Sequence, residues 1–115
     1  MSLITRPISW IKAAQKDFES FPKGVQLNMR RVLTIAAEGQ KSDIAKPMKG
    51  LGSGVFEIAL KYRTDAYRAI YAVQIEEAVW VIHAFKKKSQ TGIKTRKQEI
   101  DLVRQRIKAV KEILK

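Results

Sequence analysis

Lys61, Arg63 and Arg68 fall within eight residues of one another, and a Lys86-Lys87-Lys88 run follows. These side chains are of the kind that can work on a phosphodiester. Cleaving RNA without a metal needs a base for the 2′-hydroxyl, a cation for the phosphorane and an acid for the leaving oxygen. Lysine fits the base or acid role when neighbouring cations lower its pKa. Arginine stays charged and suits bidentate stabilisation of phosphate. The same residues could simply hold a nucleic-acid backbone or form a solvated charged surface. His83 could exchange protons near neutral pH or serve as a hydrogen-bonded structural residue. Glu57 could pair with Lys61 or Arg68, or act as a base. Tyr67 and Tyr71 read as core residues, either of which could stack a base at a sheet edge.

Alternation along three β-like runs positions these residues. In VFEIALKYR, Phe56, Ile58, Leu60 and Tyr62 point one way, while Glu57, Ala59, Lys61 and Arg63 point the other. A tight turn near Thr64-Asp65 leads into AYRAIYAVQI, where Tyr67, Tyr71, Val73 and Ile75 oppose Arg68, Ile70, Ala72 and Gln74. Glu76-Glu77 then turns into AVWVIHAF, where strict alternation groups His83 with Val79, Val81 and Phe85. Short links make the three strands antiparallel. The helices can cover one face only, which leaves the face of Lys61, Arg63 and Arg68 open.

The flanks read as helices. Residues Leu3 to Ser9 suit a short strand, with Ser9 as N-cap of a helix carrying Trp10, Ala14 and Phe18. Phe21-Pro22 ends it, and a second helix buries Val25, Met29, Val32, Leu33 and Ala36 before Gly39. Together they form an αα-hairpin, with Arg30 and Arg31 near its exposed side. Gly50 to Gly54 (GLGSG) precedes a strand and lacks the GK[ST] ending, so it reads as a turn rather than a phosphate cradle. Near the C-terminus, Thr95 and Gln98 fit a capping box. Ile100, Val103, Ile107, Val110 and Leu114 form an apolar seam, and Arg104, Arg106, Lys108 and Lys111 read as its solvated face.

Composition bounds the chemistry. The chain has 115 residues, 23 Lys+Arg, 11 Asp+Glu, one His and no Cys, for a net charge of +12. One domain spanning residues 1–115 is expected, and 45% hydrophobic residues are enough for a core. The lack of Cys excludes disulfides and thiolate chemistry, and a single His excludes a His-pair mechanism or a His-rich metal site. Neither a cofactor nor a metal is expected. Residues 1–45 carry 7 basic and 4 acidic groups (+3), against 16 and 7 (+9) for residues 46–115. Such an excess points to a polyanionic partner. The longest apolar stretch, Ala78 to Phe85, is far short of the about 18 residues needed to span a bilayer. With no targeting signal recognised, a cytoplasmic location and no membrane partner are expected.

The succession KPMKGLGSGVFEI, AYRAIYAV and VIHAFKKKSQTGIKT resembles the RelE/ParE toxin superfamily, in its phage-derived, HigB-like branch. The resemblance covers nearly the whole chain. It implies an α+β fold, with an N-terminal αα-hairpin and a C-terminal helix on a small, mainly antiparallel sheet of about four strands. It also implies the toxin of a type II toxin–antitoxin pair that cleaves ribosome-bound mRNA without a metal. A ParE-like inhibitor of DNA gyrase and a non-catalytic nucleic-acid-binding module are the alternatives. By position in the strand motifs, Arg68 matches the arginine on the scissile phosphate, Lys61 a lysine of proton transfer and Lys87 another catalytic basic residue. His83 is a further candidate for proton transfer. Arg63, Lys86, Lys88 and Lys94 are expected to bind phosphate. Two departures are visible: Ile93 stands about where RelE has a C-terminal tyrosine, and Arg96 follows Thr95 where the branch has proline. The expected partners are the ribosome, mRNA and a cognate helix-turn-helix antitoxin, with DNA met only through the antitoxin complex.

Overall fold

The protein is described from a computed structural model covering residues 5–88 and 97–114, with the side chain of Lys88 left aside. In chain order the elements are β1 (Ile8–Trp10), α1 (Lys12–Glu19), α2 (Lys23–Ala37), β2 (Ala45–Pro47), β3 (Val55–Tyr62), β4 (Asp65–Ile75), β5 (Ala78–Lys88) and α3 (Lys97–Ile113). The strands form one sheet in the order β1-β5-β4-β3-β2, antiparallel throughout except that β1 runs parallel to β5. This is the expected α+β architecture with five strands rather than about four. The additional strand is short: β2 has three residues and ends in a proline, too few for an alternation to emerge. None of the described helices is long and apolar enough to cross a membrane.

The two helices of the hairpin cover one face of the sheet. Phe18, Val25, Met29, Val32, Leu33 and Ala36 are buried against Ile58, Tyr67, Ala69, Tyr71, Val79 and Val81. Arg30 is not simply solvated: its guanidinium lies 5.0 Å from the Phe18 ring centroid and 5.9 Å from that of Trp10. Ser9 lies within β1, and α1 begins after Ile11 without a side-chain cap. The capping pair Thr95 and Gln98 is only half within view, because Thr95 lies outside the described residues.

The opposite face is not open along its whole length. Val103, Ile107 and Val110 of α3 pack on Val55, Ile70, Ala72, Ile75 and Ile82. The central strands therefore bury both faces, and β4 is buried without interruption from Tyr67 to Ala72. A strand apolar on both sides is what a sheet between two helical layers requires. Two register shifts sort the side chains. Ile70 faces His83 but Tyr71 faces Val81, so Ile82 is an extra residue in β5. A second shift, between Ala72 and Ile75, restores the register and turns Ile75 toward α3.

Backbone geometry at the turns carries strain at two links, Arg63 with φ of 58° and Glu76-Glu77. Glu76 and Glu77 form the two-residue link between the paired residues Ile75 and Ala78, and both have φ of 53°. Neither glutamate is suited to the left-handed region, which favours Asn and Gly at such hairpin turns. Gly54 is different: its φ is 78°, and a Cβ would stand 2.8 Å from Gln74 Cγ, so backbone and space both call for glycine.

Two stability measurements follow from these features. Replacing Glu76→Asn and Glu77→Gly together should stabilise the fold by about 1–2 kcal/mol in urea unfolding. Tyr71 lies fully buried, and burial pushes its phenol up from 10.0 to about 12. Folding therefore favours the neutral phenol, so this contribution is complete below pH 10 and is lost as pH rises through about 12. Tyr71→Phe should unfold with a shallower loss of stability across that interval.

Candidate functional site

The cationic residues fall in successive rows across β3, β4 and β5, on the face that α3 shares. Lys61 pairs with Ala66, which pairs with Lys87. The next row is Ala59, Arg68 and Phe85, and the third is Glu57, Ile70 and His83. Two strand spacings separate the backbones of Lys61 and Lys87, about 10 Å. Between them stands only the methyl group of Ala66, so both long side chains can reach a group lying over it.

Arg68 is anchored. Its side chain is 9% exposed, and its Nη1 donates at 3.0 Å to Oε1 of Glu57, whose side chain is 15% exposed. Pairing meets the need of a guanidinium on a central strand, where an unpaired charge would be strongly destabilising. Lys87 is also buried, whereas Lys61 is exposed. This end of the sheet face thus combines one held arginine with one buried and one exposed lysine.

The other basic residues go elsewhere. Arg63 does not continue the strand face: it occupies the Arg63-Thr64 turn with φ of 58°, and its guanidinium lies 5.5 Å from the Tyr62 ring centroid. The turn comes one residue earlier than the sequence suggests, because Asp65 already pairs with Tyr62. Lys86 points to the α2 face and meets Asp65 Oδ2 at 3.4 Å. Alternation thus divides Lys86 from Lys87 and prevents the run from converging as a unit. Lys88 ends β5 opposite Asp65, and Lys94 lies outside the described residues.

His83 is displaced from the alternation expected for β5. The extra residue Ile82 puts His83 on the α3 side with Phe85, its ring stacked 4.9 Å from the phenyl centroid, while Val79 and Val81 face the hairpin. Arg106 Nη1 lies 3.0 Å from His83 Nδ1, and Glu99 Oε1 lies 2.9 Å from Nε2. Arginine only donates, so Nδ1 accepts, and Nε2 carries the proton that it donates to Glu99. Arg106 also donates to the Ile82 carbonyl at 3.1 Å, using the acceptor beside the bulge. Both ring nitrogens are therefore engaged, and His83 joins α3 to the sheet.

The sequence pattern gives Glu99 no role and sets Arg106 on a solvated face, whereas both meet His83. Their signal is spacing: Glu99, Val103, Arg106 and Val110 follow at 4-3-4 intervals, so the polar pair lies on the buried stripe of α3. Among the described residues, no group of three or more His, Cys, Asp or Glu could hold a metal ion.

Glu57→Ala should lower stability by about 3 kcal/mol, since it leaves the buried Arg68 without its carboxylate. Urea unfolding measures this. Arg106→Ala should raise amide hydrogen exchange in the first half of α3 while leaving α2 protected.

The fold has known counterparts. A free-state, doubly substituted form of the E. coli toxin RelE superposes with a TM-score of 0.64 at 20% identity, over 90% of this chain and 98% of that one. The isolated E. coli RelE toxin gives 0.55 at 20% identity, over 87% and 97%. At such identity the likeness is one of fold. No curated protein matches the sequence. The profile of the family described as "Phage derived protein Gp49-like" matches residues 16–108, most of the chain. The protein thus belongs to the phage-derived Gp49-like family and carries it on a RelE fold.

Proposed function

We propose that this protein is the toxin of a type II toxin–antitoxin system, a HigB-like endoribonuclease that cleaves mRNA on the ribosome and stops translation. The observation that carries the reading is Arg68 held by Glu57 beside the Lys61–Ala66–Lys87 row. A phosphodiester lying over Ala66 meets the guanidinium and both lysine side chains at once. The 2′-oxygen attacks phosphorus and the bond to the 5′-oxygen breaks, giving a 2′,3′-cyclic phosphate and a 5′-hydroxyl. One lysine, as the free amine, takes the 2′-hydroxyl proton, and the other, as the ammonium, gives a proton to the departing 5′-oxygen. Arg68 stabilises the phosphorane between them. His83, with both nitrogens occupied, braces the site rather than carrying the proton.

Arg63, at the hairpin tip, and Lys86, on the other face, extend the positive surface along which RNA backbone would be held, together with Lys88 and Lys94. The reaction needs no cofactor. The net charge of +12 also suits a neutralising antitoxin, a helix-turn-helix protein with an acidic segment over the cationic end of the sheet. Such a protein would work in the cytoplasm, where ribosomes and mRNA are found.

The test is mRNA cleavage in a translating extract. The wild-type chain should cut, and Arg68→Ala should lose activity by about 10²–10³-fold, as for removal of one transition-state donor. Lys61→Ala should also be impaired while remaining folded, because Lys61 is exposed. Full activity in both variants would overturn this site. Intact mRNA with inhibited DNA supercoiling would replace the reading by a gyrase-directed one.

A further inference from the structure

The hairpin that joins β3 to β4 ends in the two-residue turn Arg63-Thr64, between the paired residues Tyr62 and Asp65. Tyr62 is 38% exposed, while every other Phe, Trp and Tyr of the described residues is buried or half-buried. The Arg63 guanidinium lies 5.5 Å from the centroid of the Tyr62 ring. Among the described residues that ring is the guanidinium's one partner, so its N–H donors stay available.

Folding alone does not call for this arrangement. Arg63 has φ of 58°, in the left-handed region where a tight hairpin turn favours glycine. Strain of this kind persists where function uses it. Here it brings a planar cation to the one exposed aromatic ring. Aromatic faces and arginine planes are the surfaces on which unpaired RNA bases stack. The position suits that use. Lys61 precedes Tyr62 by one residue, about 3 Å along β3, with its side chain on the other face. Lys86 stands on the same face as Tyr62, 53% exposed and 3.4 Å from Asp65. A strand leaving the Ala66 row over the end of the hairpin would run from Lys61 to the Tyr62 ring and on to Lys86. It would find a cation for the phosphate on either side of the stacked base.

We infer that Tyr62 and Arg63 form a stacking platform for an unpaired base of single-stranded RNA, at the hairpin tip beside the phosphate over Ala66. The inference rests on the reading of the Lys61–Ala66–Lys87 row as an RNA site and adds the residues that grip the neighbouring nucleotide. Every base has a π face, so the platform holds RNA without selecting its sequence. Tyr67 and Tyr71 are 7% and 0% exposed and offer no such surface.

The test uses the full chain and a single-stranded RNA carrying 2-aminopurine, 2′-O-methylated throughout so that no attacking hydroxyl remains. It is added both free and as ribosome-bound message. Stacking should quench the 2-aminopurine fluorescence saturably in at least one of the two settings. Tyr62→Leu should weaken that binding about tenfold, while Tyr62→Phe, which keeps the ring, should bind as the wild type does. Arg63→Gly should also weaken binding and yet raise the urea unfolding midpoint, because glycine accepts the φ that strains arginine. Equal binding by Tyr62→Leu and wild type, or no quenching in either setting, would overturn the inference. Cleavage is read separately on an unmodified message. A wild type that quenches but leaves that message intact would overturn the nuclease reading and leave the stacking platform standing.

Discussion

Arg68 is a permanent cation on the central strand of a sheet that helices cover on both sides, and its pairing with Glu57 makes this tolerable. The pair lies between adjacent strands, so it depends on the register of β3 against β4. A slip of one residue would turn Glu57 toward the hairpin and leave the guanidinium uncompensated. Apolar alternation on the same strands enforces the same register, since Ile58, Tyr67, Ala69 and Tyr71 must all meet α1 and α2. Packing and charge therefore select one pairing.

The third helix divides the second face. Its apolar stripe covers the end built from Val55, Ile70, Ala72 and Ile82, while Lys61, Arg68 and Lys87 occupy the other end. At the boundary stand His83, Glu99 and Arg106, whose hydrogen bonds hold α3 to β5 through side chains rather than through apolar contact alone. The bulge at Ile82 is what turns His83 toward them. One inserted residue in β5 thus links the position of a helix to the edge of the cationic surface.

Much of this was legible in the sequence. The buried stripe of α2, the three long strands and the shared face of Glu57, Lys61 and Arg68 followed from simple periodicity. What escaped has identifiable causes. Alternation assumes two residues per repeat, so a single bulge moved His83 away from Val79 and Val81. Apolar residues on both faces of β4 and β5 signal two helical layers, at odds with the expectation of one open face. Arg63 was placed on the strand because its turn began one residue earlier than expected. The spacing of Glu99 and Arg106 puts them on the buried stripe of α3, but their partner His83 lies on β5 and comes into reach only when helix and strand meet.

In the proposed reaction, arginine and lysine side chains alone drive attack by the neighbouring 2′-hydroxyl. This reaction is tested most directly by the chemistry of the cut ends of ribosome-bound mRNA. The account predicts a 2′,3′-cyclic phosphate on one fragment and a 5′-hydroxyl on the other. Fragments ending in a 3′-hydroxyl and a 5′-phosphate would contradict it, because water rather than the 2′-oxygen would then have attacked the phosphorus.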